Sequence, residues 1–177
     1  MPTSLAHWEL AGFLFVVVFG SLLHFVYRWS GSNRIVGMIS PVNESTWEHL
    51  KLLFVPMFLF SIVEYFVVGK TAPNYIPAKS LGILFGMLAI VALFYTYTGM
   101  IGEHYLWADI LTFVVGVAVA YLYSWKVINR YPTRSDLGWS GFLSVIILIC
   151  FLVFTFFPPK IPLFFDPVSK GYGISKH

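Results

Sequence analysis

Between Asn43 and Lys51 the chain sets Asn43, Glu44, Ser45, Thr46, Trp47, Glu48, His49 and Lys51 within nine positions, with apolar sequence on both sides. Carboxylates and an imidazole this close together are the groups that coordinate divalent metals or move protons. Such groups are scarce elsewhere: the 177 residues include 11 basic, 8 acidic and five histidines, and 58% are hydrophobic. Ionisable side chains at the mouth of a membrane span are costly to hold there, so the segment is where function is expected. Glu48, Glu44 and Asn43 are the candidate catalytic residues. His24, His49, Asp109 and His104 are the candidate metal ligands. Three such ligands and a water suit a divalent ion such as zinc, which lowers the pKa of its water to ~7 for hydrolysis. A carboxylate left over from coordination then serves as general base.

The elements that must position these groups follow from composition. With 11% charged residues, a mean hydropathy of +0.80 and a norm of about 25% charge in soluble domains, the chain needs a bilayer to solvate it. Stretches at about 10–29, 47–68, 80–98, 105–126 and 139–158 are each long enough to cross a ~30 Å hydrocarbon core at ~1.5 Å per residue. The expected fold is all-α: one integral membrane domain over 1–177, a polytopic bundle of five transmembrane helices. All six tryptophans, Trp8, Trp29, Trp47, Trp107, Trp125 and Trp139, fall near proposed span ends, where an apolar ring with a polar N–H is favoured. The first span lacks the basic start and the small-residue cleavage site of a signal peptide.

An odd number of crossings puts the first connection, the third connection and the C-terminal tail on one face. That gathers Glu48, His49, Glu103 and His104, with Asp166 above them. His24 and Asp109 lie ~8 Å below the same surface, where a polar group must face the bundle and find a partner. Glu64, ~22 Å from His49 along its helix, falls near the opposite surface, either bonded to a neighbouring helix or as the far end of a polar path. Counting Lys and Arg on the two sides gives a slight preference for a cytoplasmic C-terminus.

Local signals shape the segment itself. Ser40-Pro41 ends any preceding helix. Asn43 or Ser45 caps the next one, and Ser45-x-x-Glu48 fits a capping box in which Glu48 reaches back to the cap. Pro56 frees the carbonyl of Leu52 from its helical donor and bends the helix one turn below the polar mouth. Gly82-x-x-x-Gly86 gives the third span a small-residue stripe for internal packing or for a homodimer. The single cysteine, Cys150, excludes an internal disulfide. A net charge of +3 spread over loops offers nucleic acid no footprint. The loop around Asn129 to Asp136 is a polar turn that meets lipid headgroups.

Ser40-Pro41-Val42-Asn43-Glu44-Ser45-Thr46-Trp47-Glu48-His49-Leu50-Lys51, with Pro56 and Glu64-Tyr65 beyond it, resembles the hallmark segment of a family of small bacterial membrane proteins of unknown function. The tail Pro158-Pro159-Lys160-Ile161-Pro162-Leu163-Phe164-Phe165-Asp166-Pro167 is similar to that family's as well. The resemblance implies a multi-pass protein of a bacterial cell membrane and carries no activity with it. From chemistry alone three functions compete: a metal-dependent enzyme acting on a lipid-like or interfacial substrate, a transporter of protons, ions or small solutes, and a non-catalytic membrane subunit.

Overall fold

Long apolar runs with few breakers become long helices, and four of them reach membrane-spanning length: Leu5–Trp29, Thr46–Val67, Tyr75–Ile101 and Leu106–Arg130. The computed structural model describes residues 3–72, 74–130 and 140–174. Its helices are α1 (Thr3–Trp29), α2 (Arg34–Gly37), α3 (Thr46–His49), α4 (Lys51–Val67), α5 (Tyr75–Ile101), α6 (Leu106–Arg130) and α7 (Gly141–Phe156). The expected fifth span is thus an apolar helix of 16 residues, ~24 Å at the helical rise and short of a ~30 Å core. Among the described residues four helices are long enough to cross, and the fifth crossing is not confirmed. The expected turn from Tyr131 to Asp136, and Trp139, lie outside the described residues.

α1 shows how one face is chosen. Leu10, Leu14, Val18, Leu22 and Phe25 form an exposed stripe at the three- and four-residue spacing of one helix face. The opposite face carries Leu5, Glu9, Gly12, Val16 and Gly20, all buried, and then His24. Small residues on that face let backbones approach. A Cβ on Gly20 would lie 2.4 Å from the carbonyl oxygen of Leu52, the oxygen that Pro56 leaves without its helical donor. The proline's freed carbonyl therefore faces Gly20 of α1.

Gly82 and Gly86 do the same for α5. Their missing Cβ atoms would lie 2.6 Å from the Ala120 carbonyl oxygen and 2.8 Å from that of Gly116, both on α6. The stripe is spent on internal packing, so a homodimer through Gly82 and Gly86 finds those positions already covered. Val16, Leu53, Met57, Ile83, Val117, Ala120 and Phe151 fill the core between the helices. Trp29 and Trp107 are exposed near helix ends, as expected. Trp47 is not: its ring packs against Phe151, Phe154 and Phe164.

Beyond α7 the tail turns back. A short 3-10 turn at Pro162–Phe164 leads into two residue pairs, Phe165–Asp166 and Gly171–Tyr172, paired antiparallel. Asp166 organises this hairpin: its carboxylate accepts from the Val168 N–H at 2.9 Å and the Ser169 hydroxyl at 2.5 Å. It closes its own turn instead of overhanging the histidines.

Candidate functional site

The segment before α3 has no regular ladder, so side chains must satisfy its backbone. The Ser40 hydroxyl donates to the Leu23 carbonyl at 2.8 Å and accepts from the Tyr27 N–H at 3.0 Å, pinning the segment onto α1 beside His24. The Asn43 Oδ1 accepts from the Ser45 N–H, and its Nδ2 donates to the Gly173 carbonyl, both at 2.9 Å. This bond holds the tail against the segment. Ser45 caps α3 by accepting from the Glu48 N–H at 3.4 Å. The other half of the capping box differs from expectation: the Glu48 Oε2 accepts from the Val42 N–H at 3.0 Å, because Asn43 already holds the Ser45 N–H.

Glu48, expected as a general base, is 2% exposed and pairs with Lys51, which is 0% exposed. The Lys51 ammonium donates to the Glu48 Oε2 at 2.7 Å, the Gly37 carbonyl at 2.9 Å and the Thr155 hydroxyl at 2.6 Å. The Thr155 hydroxyl also lies 3.1 Å from the Glu48 Oε1. An ammonium has three donors, and all three are used. This knot fastens the segment, α3, α4 and the end of α7 to one another, and it leaves Glu48 no approach for a substrate.

Glu44 is the carboxylate that remains. It projects between two rings, with Oε2 3.3 Å from the His49 Nε2 and Oε1 3.8 Å from the His24 Nε2. The imidazole centroids are 5.2 Å apart. One ligand atom from each of His24, Glu44 and His49 falls within 4.8 Å of the others, and all three side chains are about a third exposed. The hydrogen bond from His49 holds the Glu44 carboxyl below its ordinary value. Beside the cluster lies an open cleft of about 200 Å³, lined by His24, Tyr27, Arg28, Ser32, Asn43 and Glu44 among others.

The His49 ring sets the chemistry. Its Nδ1 lies 2.9 Å from the Ser45 carbonyl oxygen. A carbonyl only accepts, so Nδ1 carries the hydrogen. In the neutral ring Nε2 is then a bare lone pair, and it faces a carboxylate oxygen. Two lone pairs at 3.3 Å are favourable only with a positive charge between or beside them, a proton or a metal cation. A backbone carbonyl on the far nitrogen is also the usual way a metal-bound histidine is oriented.

The other candidate ligands stand apart. Asp109 accepts from the Tyr97 hydroxyl and lies 3.1 Å from the His104 Nδ1. Tyr105 donates to Glu103. His104 and Asp109 thus form their own exposed pair at the α5–α6 turn, and the described groups with metal-holding geometry include neither. Two charged residues were missed because they lie just outside the hydropathy windows: Glu9 and Lys79. The signal for Glu9 is its place in the Glu9, Gly12, Val16, Gly20, His24 spacing of the inner face.

Fold and site together define a mostly helical protein with membrane-length helices and a His-Glu-His cluster at one end of the α1–α4 pair. A protein-family model described as a family of unknown function, DUF6512, matches residues 1–174, and the chain belongs to that family. No curated protein and no solved structure matches the chain.

Proposed function

We propose that the chain is a multi-pass membrane protein that binds one divalent metal ion through His24, Glu44 and His49, and that the ion activates water against an interfacial substrate. The observation that carries this reading is the His49 ring, with Nδ1 committed to a carbonyl and Nε2 directed at a carboxylate. Ligands ~2.0 Å from a tetrahedral zinc lie about 3.3 Å from one another. The His49–Glu44 pair already has that separation. His24 needs a shift of at most ~1.5 Å to join them, within the reach of a side-chain torsion. A fourth position then opens toward the cleft, where a bound water would meet a substrate presented beside Arg28 and Tyr27. The ligands, about a third exposed, and the exposed apolar stripe of α1 support an opening at headgroup depth. The basic residues Arg28 and Arg34 of the same end favour its cytoplasmic placement.

Elemental analysis and zinc titration of the purified protein test the reading. One equivalent of metal per chain is expected, lost in His49→Ala and in Glu44→Ala. Protein that binds no divalent ion under titration would remove the metal site and the hydrolysis built on it.

A further inference from the structure

A second polar centre lies fifteen residues from His24 along α1 and fifteen from His49 along α4, ~22 Å away at the helical rise. It draws Glu9 from α1, Ser61 and Glu64 from α4, Tyr75 and Lys79 from α5, and Tyr121 and Ser124 from α6. The Lys79 ammonium is 2.8 Å from the Glu9 Oε2 and 2.8 Å from the Glu64 Oε2. It also lies over the rings of Tyr121 and Tyr75, at 4.8 and 5.4 Å from their centroids. The Ser124 hydroxyl is 3.0 Å from both oxygens of Glu9. None of the three charged residues is more than 6% exposed.

Charge is the first imbalance. Two carboxylates share one ammonium, and a buried carboxylate without its own counter-charge is very costly. Proton count is the second, and it is independent of the first. The Tyr75 hydroxyl lies 2.8 Å from the Ser61 carbonyl oxygen and 3.0 Å from the Glu64 Oε2. It has one hydrogen to give. A carbonyl and a carboxylate both only accept, so one of these two contacts lacks a hydrogen if Glu64 is ionised. Third, among the described residues the Glu64 Oε1, the Ser61 hydroxyl and the Tyr121 hydroxyl are buried without a hydrogen-bond partner. Each buried polar atom left in that state calls for an explanation.

We propose that this centre is a binding site for one exchangeable proton, held on Glu64 against Tyr75. With the proton in place, Glu64 donates to the Tyr75 oxygen and Tyr75 donates to the Ser61 carbonyl, so both short contacts contain a hydrogen. Glu9 becomes the sole counter-ion of Lys79, supported by Ser124. One ammonium then faces one carboxylate, and the buried charge sums to zero. The site belongs to the end of the α1–α4 pair opposite the histidines and uses no metal, so it stands or falls separately from the metal cluster.

Infrared difference spectroscopy of the full chain in lipid bilayers tests this. At neutral pH the wild type should show a protonated-carboxyl C=O band that shifts in deuterium oxide. The isosteric Glu64→Gln variant should lose one carboxyl equivalent of that band per chain. In Tyr75→Phe the band should persist and move, because its hydrogen-bond acceptor is gone. A wild type without such a band, a band unchanged in Glu64→Gln, or a band unmoved in Tyr75→Phe would overturn the proposal.

Discussion

Replacing Lys51 by methionine should cost the fold more than any other single change near the site. The ammonium is fully buried and its three hydrogens go to the Glu48 Oε2, the Gly37 carbonyl and the Thr155 hydroxyl. Methionine fills a similar volume but supplies no charge and no donor. Glu48 is left as a buried carboxylate with the Val42 N–H as its backbone donor, and the Gly37 carbonyl loses its ammonium. Breaking one side of a buried pair costs about 3–5 kcal/mol, or roughly two to four powers of ten in the folding equilibrium at about 1.4 kcal/mol per tenfold. Replacing both partners with apolar residues of similar size is often near neutral, so Lys51→Met combined with Glu48→Leu should recover most of the loss. Reversible unfolding in mixed micelles, run as a double-mutant cycle, reads both numbers. A Lys51→Met loss under about 1 kcal/mol, the range of an exposed pair, would show that Glu48 and Lys51 are not a buried ion pair. Additive single losses would show the same. The cycle also bears on function, because the knot fixes the segment that carries Glu44.

Three further outcomes are expected. Gly20→Ala drives a Cβ toward the Leu52 carbonyl, a backbone atom that cannot rotate away. It should cost about 1–3 kcal/mol and, by parting α1 from α4 one turn before His24, weaken zinc affinity at least ~10-fold; equilibrium titration measures it, and unchanged affinity would deny that this contact sets the distance between His24 and His49. Glu44 has its pKa depressed by the hydrogen bond from His49, so its contribution to stability is present above the unfolded value of 4.5 and is lost as pH falls through the lower folded value. The difference in melting temperature between metal-free wild type and Glu44→Gln should therefore be present above pH 4.5 for as long as His49 keeps its second proton, and close below pH 4.5; a gap that opens only in acid would reverse the sign. Asp109→Asn should leave the metal stoichiometry unchanged, since Asp109 is held by Tyr97 and His104; metal loss in that variant would bring Asp109 back into the coordination shell.

Hydropathy alone marked the helices, because a residue that cannot meet water must lie in a segment long enough to hide its backbone. It erred where charges are neutralised by distant partners. Windows centred on apolar runs excluded Glu9 and Lys79, yet both are buried in helices and bonded across seventy positions of sequence. Each charge lowers the local average, while the partner that removes its cost belongs to another helix and is invisible to a window.

The sequence by itself determined the mostly helical character, the concentration of chemistry between Asn43 and Lys51, the Ser45 cap and the small-residue faces of α1 and α5. All of these depend on neighbours within a turn or two. Only the tertiary structure decided which acid serves which role. Glu44 and Glu48 are four residues apart and alike in type, yet Glu48 meets Lys51 and Thr155 while Glu44 meets two imidazoles. The difference comes from Gly20, where α1 meets the Leu52 carbonyl of α4, from Gly37, where α2 meets Val42, and from Thr155, which brings α7 to Glu48 and Lys51. A carboxylate's role is the sum of the charges and donors around it, and those arrive from helices far away in the chain.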